Sequence, residues 1–324
     1  LKERTNILFN GQDQAGEFYR RIFADIFAYV SHRVPKISDD PYRLDDALRA
    51  GFGWELGAFE SWDAIGLQAG LHACEERGLD VAQWVHDLVA SGATSFYNVV
   101  DGKRTSWNLA SHKHVVVPGQ DRRIALSLLS PDKTVWSNSG STIQDLGDGI
   151  LNVAFHTKMN AIGGEILEGL NRVIDLAEGD SKWRGVVISN EGGNFSAGAN
   201  VGMIFMMAVE QEWDELDYAI RVFQNTTMRL RYSGIPVIAA PHQLTLGGGC
   251  EICLHADKVI AHAETYIGLV EFGVGVIPGG GGTKEFVLRL NDDLSEGDVR
   301  INAMRERFLT IGQAKVATSA YEAF

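Results

Sequence analysis

The chain has 324 residues and a formal net charge of −13, from 42 acidic against 29 basic side chains. That length suffices for two ordinary domains, and the acidic balance argues against a nucleic-acid binder, so an anionic ligand must be met by local cations or backbone donors. No apolar run reaches the roughly 18 residues of a membrane span, and the three cysteines, too few for a disulfide framework, suit a reducing compartment and so the cytoplasm.

Residues 16–32 place Phe18, Ile22, Phe23, Ile26, Phe27 and Val30 at helical spacing, which predicts a helix with one apolar stripe. Val34 and Pro35 end it. Asp39 and Asp40 are placed to cap a second helix, with Pro41 at its first position and Ala47 and Leu48 facing inward. Gly51 and Gly53 break that helix, Ser61 starts a third, and residues 67–77 and 81–90 read as two more, separated by Gly78. Strand-like runs at 96–100 and 115–117 surround an Asp101-Gly102 turn. Residues 1–130 therefore predict a small, mainly α-helical domain, and the polar, turn-rich residues 131–142 a linker to a second domain over 143–324.

From residue 143 the pattern changes. Strands at 150–155, 183–189 and 236–240 alternate with helices at 165–177 and 213–232, the signature of βαβ units in an α/β fold. The third strand runs into Gly247, Gly248 and Gly249, and Glu251 follows on what reads as a helix. A second β-rich run carries Glu271 into the glycine cluster 279–282. A helix starting at the triple glycine aims free N–H donors at its occupant, and these favour an oxygen that gains negative charge during reaction. Taken alone, the glycines are better explained as letting a helix pack closely, with Glu251 a solvated first-turn residue. A second turn of small residues, Ser196 to Ala199, follows the 183–189 strand and can supply a second donor to the same oxygen.

With these turns in place the chain resembles the crotonase (enoyl-CoA hydratase/isomerase) superfamily. FSAGAN at 195–200 is similar to that family's F-x-A-G-A-D turn, LGGGCE at 246–251 to its L-G-G-G-x-E turn, and GLVEFGVGVIPGGGGT at 268–283 to its third block. The resemblance runs from about residue 146 to 324 and implies the ClpP/crotonase-like ββα spiral. It makes the amides of Ala199 and Gly248 an oxyanion hole and Glu251 and Glu271 the catalytic carboxylates, with Glu271 as main proton carrier and Glu251 its partner on water. Lys158, Asn160 and Ala161 fall in the family's CoA-contacting loop, and Ala197 offers its carbonyl to the adenine; Asn200, also on the CoA side, stands where the family has Asp. Two glutamates favour hydration of trans-2-enoyl-CoA to 3-hydroxyacyl-CoA in fatty-acid β-oxidation. The alternatives are an isomerase that shifts the double bond, and a catalytically incomplete acyl-CoA-binding fragment.

Residues 21–66, carrying RLDDALRAGFGWELGAFESWDAIG, resemble the helical C-terminal domain of 3-hydroxyacyl-CoA dehydrogenases, with Ala58 in place of the usual Pro. The order of the two modules is similar to that of bifunctional bacterial β-oxidation proteins. This implies a fragment whose dehydrogenase site and NAD lie upstream and whose last helices lie beyond residue 324, a homo-oligomer, and a thiolase partner. Hydration itself implies neither a metal nor a redox cofactor.

Other candidates compete poorly. Cys250 and Cys253 form a C-x-x-C but sit around Glu251, which suits buried packing better than redox chemistry. GGGGTK at 279–284 has Thr283 and Lys284 in the reverse of Walker order, against a nucleotide loop. His112 and His114 alternate on a strand-like run as a metal pair would, yet lack a third ligand nearby. His242 has little to support a catalytic role, and Arg122-Arg123 and Arg305 with Arg307 read as solvated faces.

Overall fold

A computed structural model describes residues 1–120 and 123–324, and the chain divides into two compact units, Leu1–Leu129 and Ser130–Phe324. In the first unit, α1 (Lys2–Asn10), α2 (Gln14–Ser31), α3 (Val34–Ile37), α4 (Pro41–Phe52), α5 (Ala58–Ile65), α6 (Leu67–Glu76) and α7 (Gln83–Ala90) precede an antiparallel sheet of β1 (Tyr97–Val100), β2 (Lys103–Asn108) and β3 (Lys113–Val116). Its core is aromatic. The rings of Phe27 and Trp62 stack with centroids 4.5 Å apart, and Phe59 and Phe96 close around them. Trp62 donates from Nε1 to the Leu67 carbonyl at 3.0 Å, so its one polar atom is satisfied in the interior.

The buried side of α2 follows the predicted stripe only in part: Phe27 and Val30 are buried and Phe23 and Ile26 pack against the core, but Phe18 and Ile22 are exposed and Ala24 and Ala28 are buried. Small residues at 24 and 28 let α6 approach closely, and packing partners, not hydrophobicity alone, choose the face. Asp40 occupies the N-cap position of α4, but its carboxylate accepts from Asn108 Nδ2 instead of the helix. On the same helix Ala47 is exposed, and Leu44, Asp45 and Leu48 turn inward. Helix α5 begins three residues before Ser61 because Glu60 reaches back to the Gly57 N–H at 2.7 Å, as in a capping box. The Asp101-Gly102 turn has positive φ at both residues, 50° and 69°, and joins β1 to β2.

In the second unit β4 (Thr134–Ser137), β5 (Ser141–Gly147) and β6 (Ile150–Phe155) form an antiparallel run. Then α8 (Gly164–Gly179), β7 (Gly185–Ser189), α9 (Val201–Val209), α10 (Trp213–Arg231) and β8 (Val237–Ala239) follow. Next come β9 (Gln243–Leu246), α11 (Gly248–His255), β10 (Lys258–Val259) and β11 (Thr265–Gly268), and finally α12 (Gly282–Asp293), α13 (Arg300–Gly312) and α14 (Ala320–Ala323). The main sheet has the order β10-β8-β7-β6-β5-β4, parallel from β6 to β10, and β9 pairs with β11 in a separate parallel ribbon. Helix α8 lays Ile166, Leu170, Val173 and Ile174 on the sheet residues Ile143, Leu151 and Val153.

Residues 131–142 are therefore not a free linker, since they contain β4 and the start of β5. Asn138 folds them back by accepting from the Gly140 and Ser141 N–H groups at 2.9 and 2.8 Å. Polar composition describes an exposed edge hairpin as well as it does a linker. Among the described residues no helix is long and apolar enough to cross a membrane.

Candidate active site

Three chain segments are stitched together beside the β9/β11 ribbon. The 196–200 turn joins β9 through Ser196 N–H to Leu244 O at 3.0 Å and Leu246 N–H to Ser196 O at 2.9 Å. The 158–162 loop joins the same turn through Ile162 N–H to Gly198 O at 2.8 Å and Ala197 N–H to Met159 O at 3.1 Å. Gly247 then enters α11 at φ 51° and ψ −120°, a conformation for which only glycine is suited.

These contacts set the amides of Ala199 and Gly248 side by side. Gly198 has φ 93°, and a Cβ placed on it would lie 3.4 Å from the Gly248 nitrogen. Gly248 opens α11, so its N–H has no intrahelical acceptor. Among the described residues neither the Ala199 nor the Gly248 N–H has a protein acceptor. Two neighbouring free donors at a helix start form a receptor for an oxygen that develops charge.

Both predicted carboxylates are next to this turn. Glu251 is buried in the first turn of α11, and its Oε1 accepts from the Gly280 and Gly282 N–H groups, each at 2.8 Å. Burial, with the neighbouring charge of Glu271, pushes its pKa up to about 7 against the opposing effect of the two amides. It is not the solvated residue that a packing role for the glycines would leave. Glu271 does not stand on a strand; it opens a short 3₁₀ turn, Glu271–Val274, just past β11. Its Oε1 lies 3.0 Å from where a Cβ on Gly247 would sit, and its buried Oε2 has no partner. Burial raises the Glu271 pKa as well. A buried carboxylate oxygen without a donor costs about 1–3 kcal/mol, so this atom is kept for something other than stability.

The remaining predicted residues separate into two groups. Lys158 is exposed with no carboxylate within ion-pair distance among the described residues, Ala161 and Ala197 are half-buried, and the Ala197 carbonyl faces no protein donor among those residues. Asn160, in contrast, is buried, with Nδ2 donating to Asn194 O at 2.8 Å and its carbonyl accepting from Ser196 Oγ at 2.7 Å. Its side chain shapes the loop and does not point to solvent. Asn200 is exposed and caps α9 by accepting from Met203 N–H at 3.3 Å, a task Asn and Asp perform equally.

Cys250 and Cys253 are buried, and burial raises both thiol pKa values, away from a reactive thiolate. His114 bonds Ser95 O at 3.1 Å, His112 packs edge-on to Trp107, and no group of three metal-binding side chains occurs among the described residues. His242 contacts the Gly192 carbonyl at 2.8 Å. Arg307 pairs with Asp293, while Arg122 lies outside the described residues. Sequence reasoning passed over Gln224 and Thr227 of α10, which hold the glycine loop through the Gly279 and Gly280 carbonyls at 2.8 and 2.7 Å. Their i, i+3 spacing was the available signal.

The sequence model of the enoyl-CoA hydratase/isomerase family matches residues 145–296. A Bacillus subtilis protein named as a probable 3-hydroxyacyl-CoA dehydrogenase is 40% identical over 323 residues, covering 99% of this chain and 40% of the relative. A Rickettsia felis protein with the provisional name fatty acid oxidation complex trifunctional enzyme is 26% identical, covering 90% of this chain and 38% of the relative. A Bacillus subtilis protein named as a probable enoyl-CoA hydratase is 34% identical over 125 residues, covering 39% of this chain and 47% of the relative. The chain thus spans about two fifths of the length of the longer relatives it matches.

Proposed function

Residues 145–296 are a domain of the enoyl-CoA hydratase/isomerase family, related to enzymes of fatty-acid oxidation, and from that premise we propose that this domain hydrates trans-2-enoyl-CoA to 3-hydroxyacyl-CoA. The observation that carries the proposal is the pairing of two free amides, Ala199 and Gly248, with two carboxylates, the buried Glu251 and the half-buried Glu271, whose buried Oε2 has no partner. The amides polarise the thioester carbonyl and make Cβ electrophilic. Glu251, its Oε1 fixed by Gly280 and Gly282, uses Oε2 to orient a water on Cβ. Glu271 delivers a proton to Cα, and the water's proton returns to the carboxylate pair as its oxygen bonds to Cβ. Burial raises the pKa of both carboxylates, so each takes up a proton more readily than a free glutamate, which suits the transfers of this cycle.

Lys158, Ala161 and the Ala197 carbonyl are the proposed contacts of the CoA moiety. The reaction so written uses no metal, and no step of it uses NAD. A homo-oligomer, a thiolase partner and a cytoplasmic site of action fit this reading and belong to the proposal. The test is loss of the ultraviolet absorbance of the conjugated thioester when protein is added to crotonyl-CoA. An inert protein, or one that only converts 3-enoyl-CoA to 2-enoyl-CoA, overturns the hydratase assignment.

A further inference from the structure

A charged cluster behind Glu251 takes no part in the reaction as written, yet it holds the same residue from the other side. His255 lies one turn beyond Glu251 on α11 and is buried. Its Nδ1 is 2.6 Å from the Glu251 carbonyl oxygen, and its Nε2 is 3.0 Å from Lys284 Nζ. A carbonyl can only accept and an ammonium can only donate, and Glu285 Oε1, at 3.5 Å from Nε2, is beyond good hydrogen-bond distance, so the ring carries its proton on Nδ1 and turns the Nε2 lone pair to Lys284. Lys284 in turn lies 2.7 Å from Oε1 of the fully buried Glu285, which also pairs with Arg231 at 2.8 Å. From α12 Lys284, Glu285 and Arg289 face the ring or its partner, from α10 Arg231, and from α11 Glu251.

Lys284 and Glu285 begin α12 directly after Gly280 and Gly282, whose amides clamp the Glu251 carboxylate. The ring also packs on that loop: a Cβ on Gly281 would lie 2.8 Å from His255 Cε1. Both ends of Glu251, carboxylate and main-chain carbonyl, are thereby tied to one loop–helix segment.

We propose that His255, in its Nδ1–H form, is a positioning residue that couples α11 to the 280–282 loop and so fixes the Glu251 carboxylate against its water. The proposal rests on the hydratase reading of the site. Burial and Lys284 both lower the His255 pKa, in keeping with a neutral ring.

The test compares wild type, His255→Leu, His255→Gln and Lys284→Met in the full chain, by crotonyl-CoA hydration across pH and by hydrogen exchange of peptides covering 278–284. His255→Leu keeps the volume and loses the link. It is expected to lower kcat roughly 10- to 100-fold with little change in KM, to shift the pH–rate profile, and to speed exchange in the loop. Gln, with a donor and an acceptor, recovers part of the rate, and Lys284→Met, at a half-buried position that spares the fold, moves the profile in the same direction by a smaller amount. A His255→Leu protein with wild-type kcat, pH profile and exchange overturns the proposal. Should wild type be inert on crotonyl-CoA, the hydratase reading falls by itself, and exchange alone decides the link: unchanged protection in His255→Leu overturns it.

Discussion

Each unit buries carboxylates, and each treats them differently. In the first unit Asp45 accepts from Phe59 N–H, Glu60 N–H and Tyr97 Oη at 2.9, 3.0 and 2.7 Å, and Asp63 accepts from Phe96 and Tyr97 N–H at 2.8 and 3.0 Å. Glu60 is held by the Gly57 N–H and by Arg49 and Arg104. In the second unit Glu251 has one oxygen doubly held and one open, and Glu271 keeps a buried oxygen with no donor. Saturated acids tie loops to helices, whereas an unsaturated acid carries a cost that the fold does not repay and chemistry can. Burial alone therefore does not separate the two sets of carboxylates; under the proposed mechanism the number of donors does, apart from Glu285, whose Oε1 has an ion pair with Lys284 but no hydrogen bond.

The contrast can be broken by substitution. Glu271→Gln should lower crotonyl-CoA hydration about 10²- to 10⁴-fold while leaving the thermal midpoint nearly unchanged or raised, because it removes proton transfer and the cost of a half-buried ionisable carboxyl while keeping the side chain's shape; a rate within threefold of wild type would remove Glu271 from the mechanism. Gly280→Ala places a Cβ 2.5 Å from Glu251 Oε2, and should cost roughly 100-fold in kcat with far-ultraviolet circular dichroism intact.

In the first unit the effect should appear in stability. Asp45→Ala strands two N–H groups and a hydroxyl, and denaturant unfolding should show a loss of about 3 kcal/mol. The smallest effect is on pH. Burial raises Asp45 to about 6 and Asp63 to about 7 from the 3.8 of a free aspartate, so the folded unit binds these protons more tightly than the unfolded chain. The stability this adds is complete below about pH 4 and is lost as pH rises through 6 to 7. The thermal midpoint should fall by roughly 5 °C from pH 5 to pH 8, and Asp45→Asn should flatten that slope.

Much of this was legible in the linear chain. Glycine clusters at 247–249 and 279–282, the small-residue turn at 196–200 and the two glutamates marked the candidate site, because glycine permits such close backbone approach and such φ angles. Strand–helix alternation marked the α/β unit, and helical periodicity most of the first unit's helices. The misreadings have different origins. The face of α2 depends on partners far away in sequence, about which periodicity carries no information, whereas the hairpin in 131–142 pairs residues only five to ten apart and is hidden by a polar, turn-rich composition.

The sequence by itself determined which residues could do chemistry, the acids and the glycines that free their neighbours' amides, but did not single out His255. Only the tertiary structure decided their states. It closed the Gly280 and Gly282 amides on one oxygen of Glu251, left an oxygen of Glu271 bare, and turned the His255 lone pair to Lys284. Donor counts and desolvation are set by segments converging in space, and a pKa follows from those two quantities.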